Sequence, residues 1–132
     1  MASRYVNVSP VTAAPAPAPA DKGPRVQVLE LTIPRNVDMY EFDRVNEEIA
    51  RVTADDPAGR WILDMSGSDY IGSAILGVLV NVRQRIRGGG GHLAVCCLSG
   101  ALVHAMRTCS LYNLFTVAET RADAMRLVRS LR

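Results

Sequence analysis

The sequence predicts a single α/β domain, a mixed, mostly parallel sheet of about four to five strands packed with about four helices. Three observations carry this. Short apolar runs of strand character alternate with longer segments of helical period from about residue 25 to the C-terminus. The connections between them are polar or glycine-rich, as loops joining strand to helix should be. The length, 132 residues with 48% hydrophobic content, suffices for one compact core and not for two.

Taken in order, residues 9–20 (SPVTAAPAPAPA) alternate alanine with proline. Proline fixes φ and removes a donor, so this run favours extended polyproline II and reads as a disordered spacer. Residues 1–24 are accordingly expected to be a disordered Ala/Pro-rich tail outside the domain of residues 25–132, with residues 1–22 removable at a nearly unchanged thermal midpoint. Val26, Val28, Leu29 and Leu31 suggest a strand closed by Pro34. Val37, Tyr40, Phe42, Val45, Ile49 and Val52 fit a helix with Asp38 as its cap. After the loop Asp55–Gly59, Trp61–Leu63 form the next strand and residues 73–87 a long central helix. Gly88–Gly91 end that helix, and His92–Leu98 read as a strand. Ser99 caps a third helix through Thr108; Leu111, Leu114 and Phe115 make an apolar turn, and Val117 a short edge strand. Glu119–Arg132 close the chain as an amphipathic helix offering Ala122, Met125, Leu127 (or Ala124) and Val128 to the core.

Composition excludes several classes. The net charge of +2 is near balance, and the arginines on the helices read as solvated faces or dipole partners, so no nucleic-acid role is expected. No run approaches the roughly 18 apolar residues of a membrane span, and the N-terminus lacks a secretory pattern, so a cytoplasmic protein without direct membrane insertion is expected. The three cysteines do not form a disulfide framework. Cys96 and Cys97 are adjacent in a strand, where side chains alternate, so they are expected to face opposite sides as reduced thiols. Their spacing matches no zinc motif, and no metal or cofactor is expected.

The chemistry-bearing segment is residues 60–87, RWILDMSGSDYIGSAILGVLVNVRQRIR. A strand ends in the polar turn Asp64, Ser66, Gly67, Ser68, Asp69, followed by Tyr70, Ile71, Gly72 and a helix opening at Ser73. Ser73 is expected as the N-cap, and the turn places a polar helix start at the carboxyl end of a strand, where α/β proteins build their sites. Asp64 and Asp69 are expected to organise the turn. Along the helix, Ile75, Leu79, Val82 and Ile86 should pack on the sheet, beside a stripe of Ala74, Gly77, Val78, Asn81 and Arg85. A helical glycine costs up to about 1 kcal/mol against alanine. Gly77 therefore points to close backbone approach, by a partner protein or by a neighbouring element of the fold.

The residues Leu63-Asp64-Met65-Ser66 and Gly72-Ser73-Ala74-Ile75-Leu76-Gly77-Val78-Leu79 resemble the signature of the STAS family, the anti-sigma-factor antagonists. The likeness extends through the helix–glycine–strand connection Arg85–Val95, through Leu98-Ser99, Val103, Met106 and Leu111–Phe115, and into Thr120–Ala124. The resemblance implies a small α/β domain without intrinsic chemistry that binds proteins. In the best-known members a serine at the start of the central helix is phosphorylated by a kinase that is also the anti-sigma factor, which breaks their complex. Here the family's acidic residue falls on Gly72, its first hydroxyl on Ser73, its phosphoacceptor on Ala74 and its following glycine on Ile75. Ala74 has no oxygen to phosphorylate, leaving Ser73 as the one adjacent acceptor.

The reading that follows is a non-enzymatic module that binds an anti-sigma factor or serine-kinase-type partner. Its expected contact is Asp64, Ser66, Gly72, Ser73, Ala74, Gly77, Val78 and Asn81, without the usual phosphorylation switch and with room for a homodimer. An alternative within the family is a fixed subunit of a phospholipid ABC transporter or a stressosome-like assembly. An alternative of another class is a small hydrolase using Ser73 with His92 or His104, for which the sequence lacks a nucleophile elbow. The Gly88–Gly91 run follows a helix and precedes a strand, the reverse of a phosphate-binding loop.

Overall fold

Five strands lie side by side in chain order: β1 (Val6–Val11), β2 (Val26–Leu31), β3 (Arg60–Asp64), β4 (His92–Cys96) and β5 (Thr116–Ala118). β1 runs antiparallel to β2, and every other neighbouring pair is parallel. Helices α1 (Met39–Thr53), α2 (Ala74–Gly88) and α3 (Gly100–Thr108) supply the three crossovers, a 3-10 turn (Tyr112–Leu114) precedes β5, and α4 (Arg121–Ser130) ends the chain. The structure, a computed structural model, describes residues 6–11, 26–56, 58–68 and 72–131. The α/β class and the mostly parallel sheet agree with the sequence reading.

Parallel strands added in sequence order by right-handed crossovers place all the crossover helices on one face of the sheet. The core follows this rule. On one face Leu29, Leu31, Trp61, Leu63, Leu93 and Val95 meet Phe42, Val45 and Ile49 of α1, the five buried residues of α2, and Leu102 and Met106 of α3. On the other face Val26, Val28, Ile62, Ala94, Cys96 and Ala118 meet Ala124 and Val128 of α4 alone. β2, β3 and β4 each contribute alternate residues to the two layers, the period-two pattern of a sheet buried on both sides. Trp61 is fully buried, and its indole N–H donates to the Asp56 carbonyl at 2.9 Å.

Local chemistry sets the helix ends. Asp38 and Glu41 form a capping box on α1, Ser99 accepts from Leu102 N at 3.1 Å on α3, and Thr120 accepts from Asp123 N at 3.1 Å on α4. α2 stops in a Schellman arrangement: Gly90, at φ 87°, sends its N–H to Arg87 O while Gly91 N reaches Ile86 O at 2.8 Å. Of the four-glycine run, Gly90 is the position where backbone geometry requires glycine.

Three expectations need correction. Residues 6–11 belong to the sheet rather than to a tail, because Val6 and Val8 alternate with an exposed Asn7 and pack on the α1/α2 core. β1 is an edge strand, where a residue such as Pro10 that donates no N–H is tolerated. Residues 12–24 lie outside the described residues, and with them the Ala-Pro spacer. Tyr40 is exposed, since in the first turn of α1 it sits away from the buried stripe Phe42, Val45, Ile49. In α4 the buried pair is Ala124 and Val128, one turn apart, while Ala122 and Leu127 fall on the outer face.

Removing residues 1–11 strips Val6 from the core and uncovers the β2 edge. Burial of one valine side chain is worth about 2 kcal/mol, so the thermal midpoint should fall by about 10 °C. Calorimetry of full-length and truncated chains checks this, and an unchanged midpoint would restore the whole segment to the tail.

Candidate functional site

The parallel register aligns Glu30, Asp64, Cys96 and Ala118 in one row across the carboxyl ends of β2 to β5, on the face covered by α4. Arg121, the first residue of α4, reaches onto this row. Its guanidinium donates to Asp64 Oδ2 at 2.6 and 2.9 Å and to Glu30 Oε2 at 3.0 Å. Asp64 Oδ1 accepts the backbone N–H of Ser66 at 2.9 Å, so one buried carboxylate both anchors α4 and shapes the turn leaving β3. Burial opposes ionisation of Asp64, but the Ser66 N–H and the Arg121 guanidinium outweigh it and hold the carboxyl below its ordinary range. The turn is also clamped to β2: Ser68 Oγ donates to Leu31 O at 2.6 Å and accepts from Ile33 N at 3.2 Å.

Beyond this turn α2 begins. Ser73 is already helical (φ −62°, ψ −22°), and its hydroxyl makes no capping bond, which corrects its expected role. An N-cap side chain reaches the first-turn amides from extended backbone. Among the described residues the first turn is closed by backbone bonds, Ile75 N to Gly72 O and Leu76 N to Ser73 O. Ser73 is left exposed at the helix start.

The predicted contact residues divide into two groups. Ser66, Ser73 and Gly77 are exposed, and Gly72, Ala74 and Asn81 are half-buried. Asp64 and Val78 are buried and present no surface. Val78 turns inward because the buried stripe of α2 includes Ile75, Val78, Leu79, Val82 and Ile86, wider than the four positions expected. Asn81 bridges helices by donating to Asn46 Oδ1 at 3.0 Å and accepts from Arg85 Nε at 3.1 Å. At Gly77 a Cβ would meet nothing within 4 Å, so no neighbouring element among the described residues accounts for this glycine. Asp69, Tyr70 and Ile71 lie outside the described residues.

Cys96 and Cys97 do not face opposite sides. The strand ends at Cys96, and Cys97 takes a left-handed conformation (φ 63°) that breaks the alternation. Its side chain packs with Cys96 against the α4 layer, and the two sulfurs and an Asp64 carboxylate oxygen all lie within 4.8 Å of one another. Burial, reinforced by Cys97 and by the nearby Asp64 charge, pushes the Cys96 thiol well above its ordinary range. The third cysteine, Cys109, is exposed at the end of α3.

Ser73 has no hydrogen bond to a histidine. His92 opens β4 just after α2 ends, and α2 is 15 residues long, about 22 Å of helix. Ser73 and His92 therefore sit at opposite ends of the sheet, and His104 is exposed on α3. Arg83, read from sequence as part of a basic face, holds Leu114 O; Arg60 holds the carbonyls of Val128 and Leu131, and Arg107 stacks on Tyr112. No helix among the described residues is long and apolar enough to cross a membrane.

The comparisons agree with this architecture. The profile of the family described as "STAS domain" matches residues 20–124, and the chain belongs to that family. Among solved structures, it is similar to a STAS domain protein of Planctomyces limnophilus described as an anti-sigma-factor antagonist (18% identity, 80% of this chain and 92% of that one, TM-score 0.68). It is similar to an anti-sigma factor antagonist of Mycobacterium paratuberculosis (21% identity, 94% and 96%, TM-score 0.67). It is also similar to the Bacillus anti-sigma factor antagonist SpoIIAA in its unphosphorylated form (14% identity, 96% and 98%, TM-score 0.65). No curated protein matches the chain. Family and fold together define a STAS-type interaction module.

Sequence reasoning missed Arg121 as the partner of Asp64, because nothing local links residues 57 positions apart. Arg121→Ala leaves the buried carboxylate without its guanidinium. Because the Arg121 side chain is itself 41% exposed, the cost should be about 2 kcal/mol at pH 7, less than for a fully buried pair. The depressed Asp64 stabilises the fold above the unfolded-state pKa of about 4 and stops doing so as pH falls through its lower folded value. The gap between variant and wild type in urea denaturation should therefore close below about pH 4. Equal stability at pH 7 would show that the pair does not hold the site.

Proposed function

We propose that the protein is an anti-sigma-factor-antagonist-type binder that docks an anti-sigma factor or a related serine kinase through the start of α2, with a contact not gated by phosphorylation at position 74. The observation that carries this reading is Gly77, a helical glycine exposed on the surface with open space around it. A glycine there costs helix stability and meets no need set by the described residues, and close approach of a partner backbone is a physical reason for it. Ser66, Gly72, Ser73, Ala74 and Asn81 would surround that contact. Asp64 would act from beneath by fixing the Ser66 turn, and Val78 by packing the helix. A phosphoryl group would add about two negative charges at a helix start; alanine at 74 keeps the corresponding position neutral. The solved neighbours described as anti-sigma factor antagonists support a partner of that class.

Affinity capture from the native cell, followed by mass spectrometry, should return a histidine-kinase-like ATPase or its sigma factor. Recovery of transporter subunits instead would favour a fixed subunit role. On the captured pair, Gly77→Arg should weaken binding at least about 100-fold, roughly 2.7 kcal/mol. The thermal midpoint should stay level or rise, since arginine is the better helix former. Undiminished affinity in calorimetry would remove this face from the interface.

Incubation with the captured kinase and ATP should leave the intact mass unchanged, with Ser73→Ala as the assigning control. Stoichiometric phosphate that disappears in Ser73→Ala would overturn the ungated reading and displace the switch by one residue. Ser73→Asp places negative charge at the helix start without a kinase; retained binding supports the ungated contact, and loss of binding would overturn it by showing that charge beside position 74 still releases the partner.

A further inference from the structure

We propose that Asp64, Cys96 and Cys97 form a site for one thiophilic divalent cation of the zinc type at the carboxyl edge of the sheet. The two thiols and the carboxylate offer three donor atoms all within 4.8 Å of one another. Ligands on a tetrahedral zinc ion bonded at about 2.0–2.3 Å lie roughly 3.5–3.8 Å apart, so closing the site needs a contraction of at most about 1 Å. Asp64 and Cys96 are held by neighbouring strands in direct register, and Cys97 is turned toward them by its left-handed backbone. Two sulfurs and one oxygen are a donor set that selects zinc-like ions over magnesium or calcium. Asp64 and Cys96 are buried while Cys97 is half-exposed, which gives the ion a route in and leaves a fourth position for water or a partner's side chain.

The charges balance. On binding, both S–H bonds break, two sulfur–metal bonds form, and two protons leave to solvent. Two thiolates and one carboxylate around a divalent ion carry a net charge of minus one, the charge Asp64 already carries, so binding leaves unchanged the balance with Arg121 of α4, which lies within 3 Å of Asp64. Glu30 of β2 keeps its own contact with Arg121 from the far side. An occupied site would stiffen the turn that Asp64 forms with Ser66. The proposal shares Asp64 with the docking reading through the Ser66 turn, but its test reads the α4 face and needs no docking partner.

Titration of the reduced full-length chain with Co2+ under anaerobic conditions tests it. The expected result is a saturable one-to-one rise of thiolate-to-cobalt charge-transfer absorption with tetrahedral ligand-field bands, abolished by excess Zn2+. Cys97→Ser, a near-isosteric change at a half-exposed residue, should weaken Co2+ binding at least about 100-fold, more than loss of an outer-shell partner does. Cys109→Ser should leave the titration unchanged. On the wild-type chain, Zn2+ should slow alkylation of Cys97 and not of Cys109, a readout that requires no variant to fold. Absence of a saturable band, a band that survives Cys97→Ser, or a band lost with Cys109→Ser would each overturn the site.

Discussion

Parallel pairing of β2, β3 and β4 in one fixed register is the constraint on which the rest of the molecule depends. It sets Glu30, Asp64 and Cys96 side by side at the carboxyl edge, on the face that α4 covers. Because side chains alternate, a slip of one residue in β3 would turn Asp64 toward α1 and α2 and offer Leu63 to α4. Arg121 would then face no carboxylate, and the Ser66 turn would lose its acceptor. Register is in turn enforced by two apolar layers, each taking alternate residues of every central strand. The polar row is thus held by the hydrophobic pattern and does not itself create it.

This division of labour separates the two faces of the sheet by function. The face carrying α1, α2 and α3 holds most of the large buried side chains and presents the start of α2 outward. The face carrying α4 is thinner and polar at its carboxyl end, where the Asp64–Arg121 pair, Glu30 and two cysteines gather. Asp64 connects them, since one oxygen binds the helix that closes the α4 face and the other shapes the turn leading to α2. A change on either side can be felt on the other through a single buried carboxylate.

Much of the fold was legible from the residues. Period-two and period-3.6 patterns located β2 to β5 and all four helices to within a few positions, and Asp38, Ser99 and the glycine run marked helix ends by local chemistry. The misreadings have local causes too. Val6 and Val8 were hidden by the adjoining Ala-Pro run, whose composition dominated the segment. Ser73 has the right residue type for a cap but enters the helix with helical backbone, so its hydroxyl misses the amides. Cys97 broke the alternation through a φ of 63° that no residue type announces.

The sequence by itself determined the class of fold, the order of elements, the helical glycine at 77 and the absence of an oxygen at 74, because each of these rests on residue identity or short-range period. Only the tertiary structure decided which residues meet. The pairing of Asp64 with Arg121, the burial of Val78, the open space around Gly77 and the convergence of Asp64, Cys96 and Cys97 all depend on strands and helices distant in the chain being brought into register. Long-range register is fixed by packing of the whole core, and no local pattern carries that information.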